Sequence, residues 1–102
     1  MITRNYKIKI YQINESKAAH KLYQGFDGQP ISMSDYKLVY ESVHKSTVTD
    51  TNKVLNEVYQ SYNISKPEDF KGHSLSVSDI VLLNGIPYFV DRFGFKKIDD
   101  IM

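Results

Sequence analysis

Residues 80–90 read Ile-Val-Leu-Leu-Asn-Gly-Ile-Pro-Tyr-Phe-Val. No other stretch narrows the fold so much. Two β-prone runs flank Asn84-Gly85, and a tight two-residue turn needs positive φ at both central positions, which Asn and Gly tolerate best. The pattern predicts a hairpin over residues 79–92 at the centre of a small antiparallel sheet.

The rest of the chain supplies partners for that hairpin. Over residues 6–13 apolar and polar side chains alternate: Tyr6, Ile8 and Ile10 share one face, and Lys7, Lys9 and Tyr11 the other. This is a strand with one buried face, and two lysines on the outer face suit an edge strand guarded against aggregation. Ser16 can cap a short helix over 16–24 with Ala18, Ala19, Leu22 and Tyr23 as its apolar stripe and Gly25 as its stop. Residues 26–30 read as turn and loop. In the 36–43 segment Leu38, Tyr40 and Ser42 alternate with Val39 and Glu41, and β-branched and aromatic content favours a strand. Residues 44–49 are polar and read as a loop.

The clearest helix covers 51–62, capped by Thr49 or Asp50, with Asn63 at its C-terminal end. Val54, Leu55, Val58, Tyr59 and Tyr62 fall on one face at period 3.6. A single-striped helix with no equal partner needs a sheet to lie on. After it, Pro67 opens a possible single turn and Phe70 plugs the core; the tail over 96–102 is a final strand or a helical turn. The expected fold class is α+β: a small antiparallel sheet with a central Asn-Gly hairpin, covered on one face by one main helix and one shorter helix. At 102 residues the chain reads as a single domain over 1–102.

Composition excludes several functions. Thirteen basic against twelve acidic residues leave a net charge of +1. That balance indicates neither a strongly basic nucleic-acid binder nor an acidic DNA mimic. The absence of cysteine removes disulfides, thiolate metal sites and Cys nucleophiles. The N-terminal residues lack the apolar core of a signal peptide, and no apolar run approaches the roughly 18 residues of a membrane span. The expected location is the cytoplasm. Eight tyrosines suit half-buried strands as well as binding surfaces.

Candidate chemistry gathers at the hairpin entrance. His73, Ser74, Ser76, Ser78 and Asp79, with Asp91 beyond the turn, have the residue types of a hydrolase. A serine nucleophile needs a base within hydrogen-bond reach and a group that orients the base. Yet no G-x-S-x-G elbow is present, and hydroxyls of this kind commonly bond to nearby backbone to shape the entry into a strand. The structural role is therefore preferred. His20, His44 and His73 lack metal-ligand spacing; Asp79, Asp91, Asp99 and Asp100 could hold a cation only if folding brought two together. Asp79 and Asp91 are nearly equidistant from the turn and could meet across the hairpin, raising a pKa or recruiting a cation, but structural capping by neighbouring backbone or Arg92 is the better reading. Arg92-Phe93-Gly94-Phe95 beside Lys96-Lys97 faintly echoes an RNA-binding sheet, but core packing of its aromatics is the better reading. No metal and no cofactor are expected.

Pro67-Glu68-Asp69-Phe70, then Gly72-His73-Ser74-Leu75-Ser76-Val77-Ser78-Asp79-Ile80-Val81, then Tyr88-Phe89-Val90-Asp91-Arg92-Phe93-Gly94-Phe95, form a dense ordered pattern that resembles the YodL-like domain family. Residues 6–12 and 36–40 are similar to the family's opening strand and its Y-x-x-V-Y segment. The joining segment in the hairpin is shorter here than is usual for the family. The resemblance carries over no catalytic residue; Gly72, His73, Ser74, Ser76, Ser78, Asp79, Asp91 and Gly94 stand only as motif positions. It implies an association with Firmicute chromosomes, plasmids, phages and conjugative elements. Small proteins of such elements often inhibit host defence. The expectation is thus a non-enzymatic binding protein, an inhibitor of a host defence nuclease of anti-CRISPR type, with a guide-RNA-loaded type II effector as partner. A nucleic-acid-binding accessory module using Lys7, Lys9, Tyr11, Arg92, Lys96 and Lys97 is the alternative, and a small hydrolase or nuclease using His73, Ser74 and Asp79 the third reading.

Overall fold

The computed structural model describes residues 2–64 and 67–99. Five antiparallel strands form one sheet in the order β2-β1-β3-β4-β5. They are β1 (Arg4–Ile13), β2 (Tyr36–Ser46), β3 (Ile80–Leu83), β4 (Ile86–Asp91) and β5 (Gly94–Lys97). The main helix α2 (Thr51–Ile64) lies on one face, and a short helix α1 (Glu15–Ala18) follows β1. The architecture is a small α+β fold. Asn84 and Gly85 stand between β3 and β4 with φ of 51° and 83°. Asn84 also extends the β1 ladder: its N–H donates to the Lys7 carbonyl at 2.9 Å and its Oδ1 accepts from the Lys7 N–H at 2.8 Å.

Side-chain alternation along these strands gives the sheet two different faces. On the first, Ile8 and Ile10 of β1, Val81 and Leu83 of β3 and Val90 of β4 meet Val54, Leu55, Val58 and Tyr62 of α2. Asp50 fixes the helix start, its Oδ1 accepting from Lys53 N–H at 3.1 Å. Phe70 closes this core, with its ring 5.4 Å from Tyr40 and 5.6 Å from Tyr62. The second face carries a smaller cluster of Ile80 and Phe89 with Ile31 and Ile98, and residues 22–35 lie over it.

A β-bulge decides which β2 residue faces which side. Ile10 pairs with Tyr40 and Tyr11 with Leu38, so Val39 has no partner on β1. Its side chain joins Tyr40 on the helix face, and its carbonyl accepts from Lys71 N–H at 3.3 Å. An extra residue reverses the alternation beyond it. Leu38 and Tyr40, expected on one face, therefore lie on opposite ones, and Glu41, Val43 and Lys45 follow Leu38 onto the second face.

Other expectations need correction. β1 is flanked on both sides, so Lys7 and Lys9 guard no edge. The expected helix over 16–24 stops at Ala18, becomes a 3-10 turn at Ala19–Lys21, and ends where Tyr23 takes φ of 65°. Of its apolar stripe only Ala18 is buried, so little burial offsets the ordering of a longer helix. Asn14 caps it, not Ser16: Asn14 Oδ1 accepts from Ser16 N–H at 3.2 Å. His20, Lys21 and Gln24 line a cavity over Phe89, on the face away from α2. The expected loop over 44–49 is strand as far as Ser46, and Asn63 lies inside α2. Residues 100–102 of the tail, Asp100 included, lie outside the described residues.

Candidate functional site

The hairpin entrance folds into two polar assemblies, one on each face. The first is a buried knot around Asp79 and Gln12, which are 0% and 1% exposed. Gln12 continues the helix-facing series of Ile8 and Ile10, so β1 carries a polar side chain into the core. Its Nε2 donates to the His73 carbonyl at 2.8 Å and to Asp79 Oδ2 at 3.0 Å. Asp79 Oδ2 also accepts from the Ser76 N–H at 2.8 Å, and the Asp79 N–H returns a bond to the Ser76 carbonyl at 3.1 Å. Burial pushes the Asp79 carboxyl up to about 7, against the opposing effect of the Ser76 and Gln12 bonds.

Gly72 makes the knot possible by being bare. A Cβ there would stand 1.9 Å from Gln12 Oε1 and 2.8 Å from its Cδ. His73 Nδ1 is 2.8 Å from the Ser74 carbonyl and 3.3 Å from Gln12 Nε2. Ser76 Oγ donates to the same carbonyl at 2.7 Å. Among the described residues none of the Ser74, Ser76 and Ser78 hydroxyls bonds to His73. Among the described residues three atoms of the knot, Gln12 Oε1, His73 Nε2 and Asp79 Oδ1, are buried without a partner.

The second assembly pins residues 22–35 over the other face. Ser78 has φ of 85°, a backbone conformation that a serine adopts only when its surroundings hold it there. All three of its polar groups are engaged: its N–H donates to the Val90 carbonyl at 2.9 Å, its Oγ accepts from Tyr23 N–H at 3.0 Å, and its carbonyl accepts from Tyr36 OH at 2.7 Å. Burial, with Asp79 and Asp35 adding to it, pushes the Tyr36 phenol far up. Asp91 holds the other end. Its Oδ1 accepts from Phe26 N–H at 3.1 Å and from Arg92 N–H at 2.8 Å, and the Arg92 bond, with smaller help from Phe26, lowers its pKa. Between the pinned segment and Phe89 lies a cavity of about 350 Å³, with the Lys21–Asp35 ion pair at 2.6 Å in its wall.

Asp79 and Asp91 are brought close in backbone but not in side chain. Asp79 shares the helix face with Val90, whereas Asp91 shares the opposite face with Phe89. The two carboxylates therefore do not pair; each accepts from neighbouring backbone, the reading the sequence favoured, and the raised pKa of Asp79 comes from burial. Among the described residues no three His, Asp or Glu side chains are grouped to hold a metal ion. His20, His44 and His73 stay apart, and His44 Nε2 meets Glu57 Oε1 at 2.9 Å, which lowers the Glu57 pKa.

The six expected binding positions are also divided. Lys7, Lys9, Tyr11 and Lys96 lie on the second face by register; Lys97 pairs with Tyr88 on the helix face, and Arg92 sits in the β4–β5 turn. The Phe93-Gly94-Phe95 step splits as well: Phe95 packs at the core edge against Tyr59, while Phe93 is 92% exposed. Gly94 has φ of 88°, which accounts for its place in that turn. Gln12, Tyr36 and Lys45 were not singled out by sequence. A polar residue at the helix-facing parity of β1 was the available signal for Gln12.

Most of this framework lies within one recognisable domain. The YodL-like domain family model matches residues 7–101, and the chain belongs to that family. Neither the curated proteins nor the solved structures contain a match to it. Among the described residues no helix is long and apolar enough to cross a membrane.

Proposed function

We propose that the chain is a binding domain, acting by occupying a protein partner and not by catalysis, and that the partner is a host defence nuclease in its guide-RNA-loaded state. The observation that carries the first part is the internal use of the motif. The Ser76 hydroxyl, His73 Nδ1 and Asp79 Oδ2 bond within the 73–79 turn, Asp79 Oδ2 also to Gln12, and Ser78 Oγ bonds to the Tyr23 backbone. A motif built this way shapes a turn and a loop and leaves outer surfaces for recognition. The choice of a nuclease, with a type II CRISPR effector first, rests on the association with phages and conjugative elements that the family resemblance implies. The test is a cleavage assay with guide-loaded effector, target DNA and a molar excess of the protein. The expected result is loss of cleavage or of DNA binding; unchanged assembly, DNA binding and cleavage would overturn the nuclease partner.

A further inference from the structure

The two edges of the sheet differ. The β5 edge is four residues long and ends in Lys96-Lys97, a short basic edge of the kind that resists pairing. The β2 edge is 11 residues long and holds no proline. Its first part is blunted by the bulge at Val39, whose carbonyl already accepts from Lys71 N–H. From Glu41 to Ser46 the pairing with β1 is regular.

Register fixes which residues offer backbone groups on the outer side of that regular part. Facing residues of an antiparallel pair alternate between turning both backbone groups toward each other and turning both away. Lys7 turns its N–H and carbonyl away from β2, to Asn84. Its neighbour Val43 therefore turns its own outward, and so do Glu41 beside Lys9 and Lys45 beside Asn5. Among the described residues nothing bonds to these outward groups. The three side chains are self-complementary about Val43: an acid two residues before it and a base two residues after it. Among the described residues neither Glu41 nor Lys45 is in an ion pair, and Val43 is 52% exposed.

We propose that β2 pairs with β2 of a second copy of this chain, antiparallel and centred on Val43, joining the two sheets into one. A two-fold axis at that point sets Val43 against Val43 of the second copy, Glu41 against its Lys45, and Lys45 against its Glu41. Each facing pair exchanges two backbone hydrogen bonds. The neighbouring registers are worse. Centring on Glu41 or Lys45 sets like charges opposite each other, and centring on Ser42 or His44 sets a charge opposite Val43. An edge lysine discourages self-pairing when it meets its own copy, but Lys45 here meets an acid. One strand pair is a small contact, so the dimer is reversible and depends on concentration.

The experiment is sedimentation of the whole chain from about 10 µM to about 1 mM, read beside amide exchange by NMR. The wild type is expected to shift from monomer to dimer. The Glu41, Val43 and Lys45 amides should gain protection with concentration, while those of Ser42 and His44, which face β1, stay unchanged. Val43→Pro removes an outward N–H and no bond to β1, so it should remain folded and monomeric. Glu41→Lys and Lys45→Glu each set like charges opposite each other, and each should weaken the dimer at least about tenfold. Mixed in equal amounts, these two variants set the bases of one chain against the acids of the other and should associate as wild type does. A wild type that is monomeric throughout, a dimer that Val43→Pro leaves intact, or two folded charge variants that associate no better mixed than alone would each overturn the proposal. Edge protection that appears only when guide-loaded nuclease is added assigns the edge to that partner and overturns the second copy.

Discussion

Asp79 and Asp91 sit at the two feet of the same pair of strands, yet they belong to different faces and do different work. Asp79 points under α2, loses contact with water and has its pKa raised to about 7 by burial. Asp91 points toward residues 22–35, accepts from Phe26 and Arg92 backbone N–H groups, and has its pKa lowered mainly by the Arg92 bond. The contrast extends to the faces themselves. One is closed by a helix of the chain's own; the other, among the described residues, is closed at one end only. A pleated sheet separates neighbours on a strand completely, so closeness in backbone says little about shared chemistry.

Substitutions can break this comparison, and the largest effect is expected at the knot. Gly72→Ala forces a methyl group against Gln12, and moving Gln12 sacrifices its bonds to His73 and Asp79. The expected loss is about 4 kcal/mol by chemical denaturation. Adding Gln12→Ala removes the clashing atoms, so the double variant should lose less than the two single losses added together. Simple additivity would show that the two residues do not meet.

The next effect depends on pH. The Asp79 carboxyl has a folded-state pKa above its unfolded value near 4, so between those values the folded state binds the extra proton. Stability from this group is complete below pH 4 and lost as pH rises through about 7. Asp79→Asn cannot ionise. Relative to wild type it should gain about 4 kcal/mol between pH 4 and pH 7.5. Urea melts of both proteins across that range check this, and a constant difference would contradict it.

Leu55→Ala and Val43→Ala compare the faces directly. Leu55 is fully buried under the sheet and should cost about 3 kcal/mol. Val43 stands on the open half-face, and its truncation should stay within about 0.5 kcal/mol. Equal losses would show that something covers Val43 in solution. Between these, Asp91→Asn should cost about 1 kcal/mol, together with faster hydrogen exchange at the Phe26 amide; unchanged exchange there would remove Asp91 from its role as a pin.

The α+β architecture was readable from pattern because it rests on long periodic signals: the alternation of Tyr6, Ile8 and Ile10, and the stripe of Val54, Leu55 and Val58. Phe70 is legible as a core residue on a different ground, as a large apolar group in a polar stretch. What escaped depends on pairing between distant strands. The bulge at Val39 exists only against β1, and it alone sends Lys45 to the face of Lys7. The central place of β1 depends on β2 and β3 both choosing it. The hydrolase-like residue set at 73–79 was visible as composition, but its use is set by Gln12, 67 residues before Asp79 in the chain.

The central claim is that the motif acid at the hairpin entrance is a buried structural group and its neighbour across the strands is a surface pin. Carbon-detected NMR titration of every Asp side-chain carboxyl tests it most directly. Asp79 should titrate near pH 7 and Asp91 below the ordinary carboxylate range. If Asp79 titrated near pH 4 with exposed aspartates, the knot would be open to water and the motif available for other chemistry.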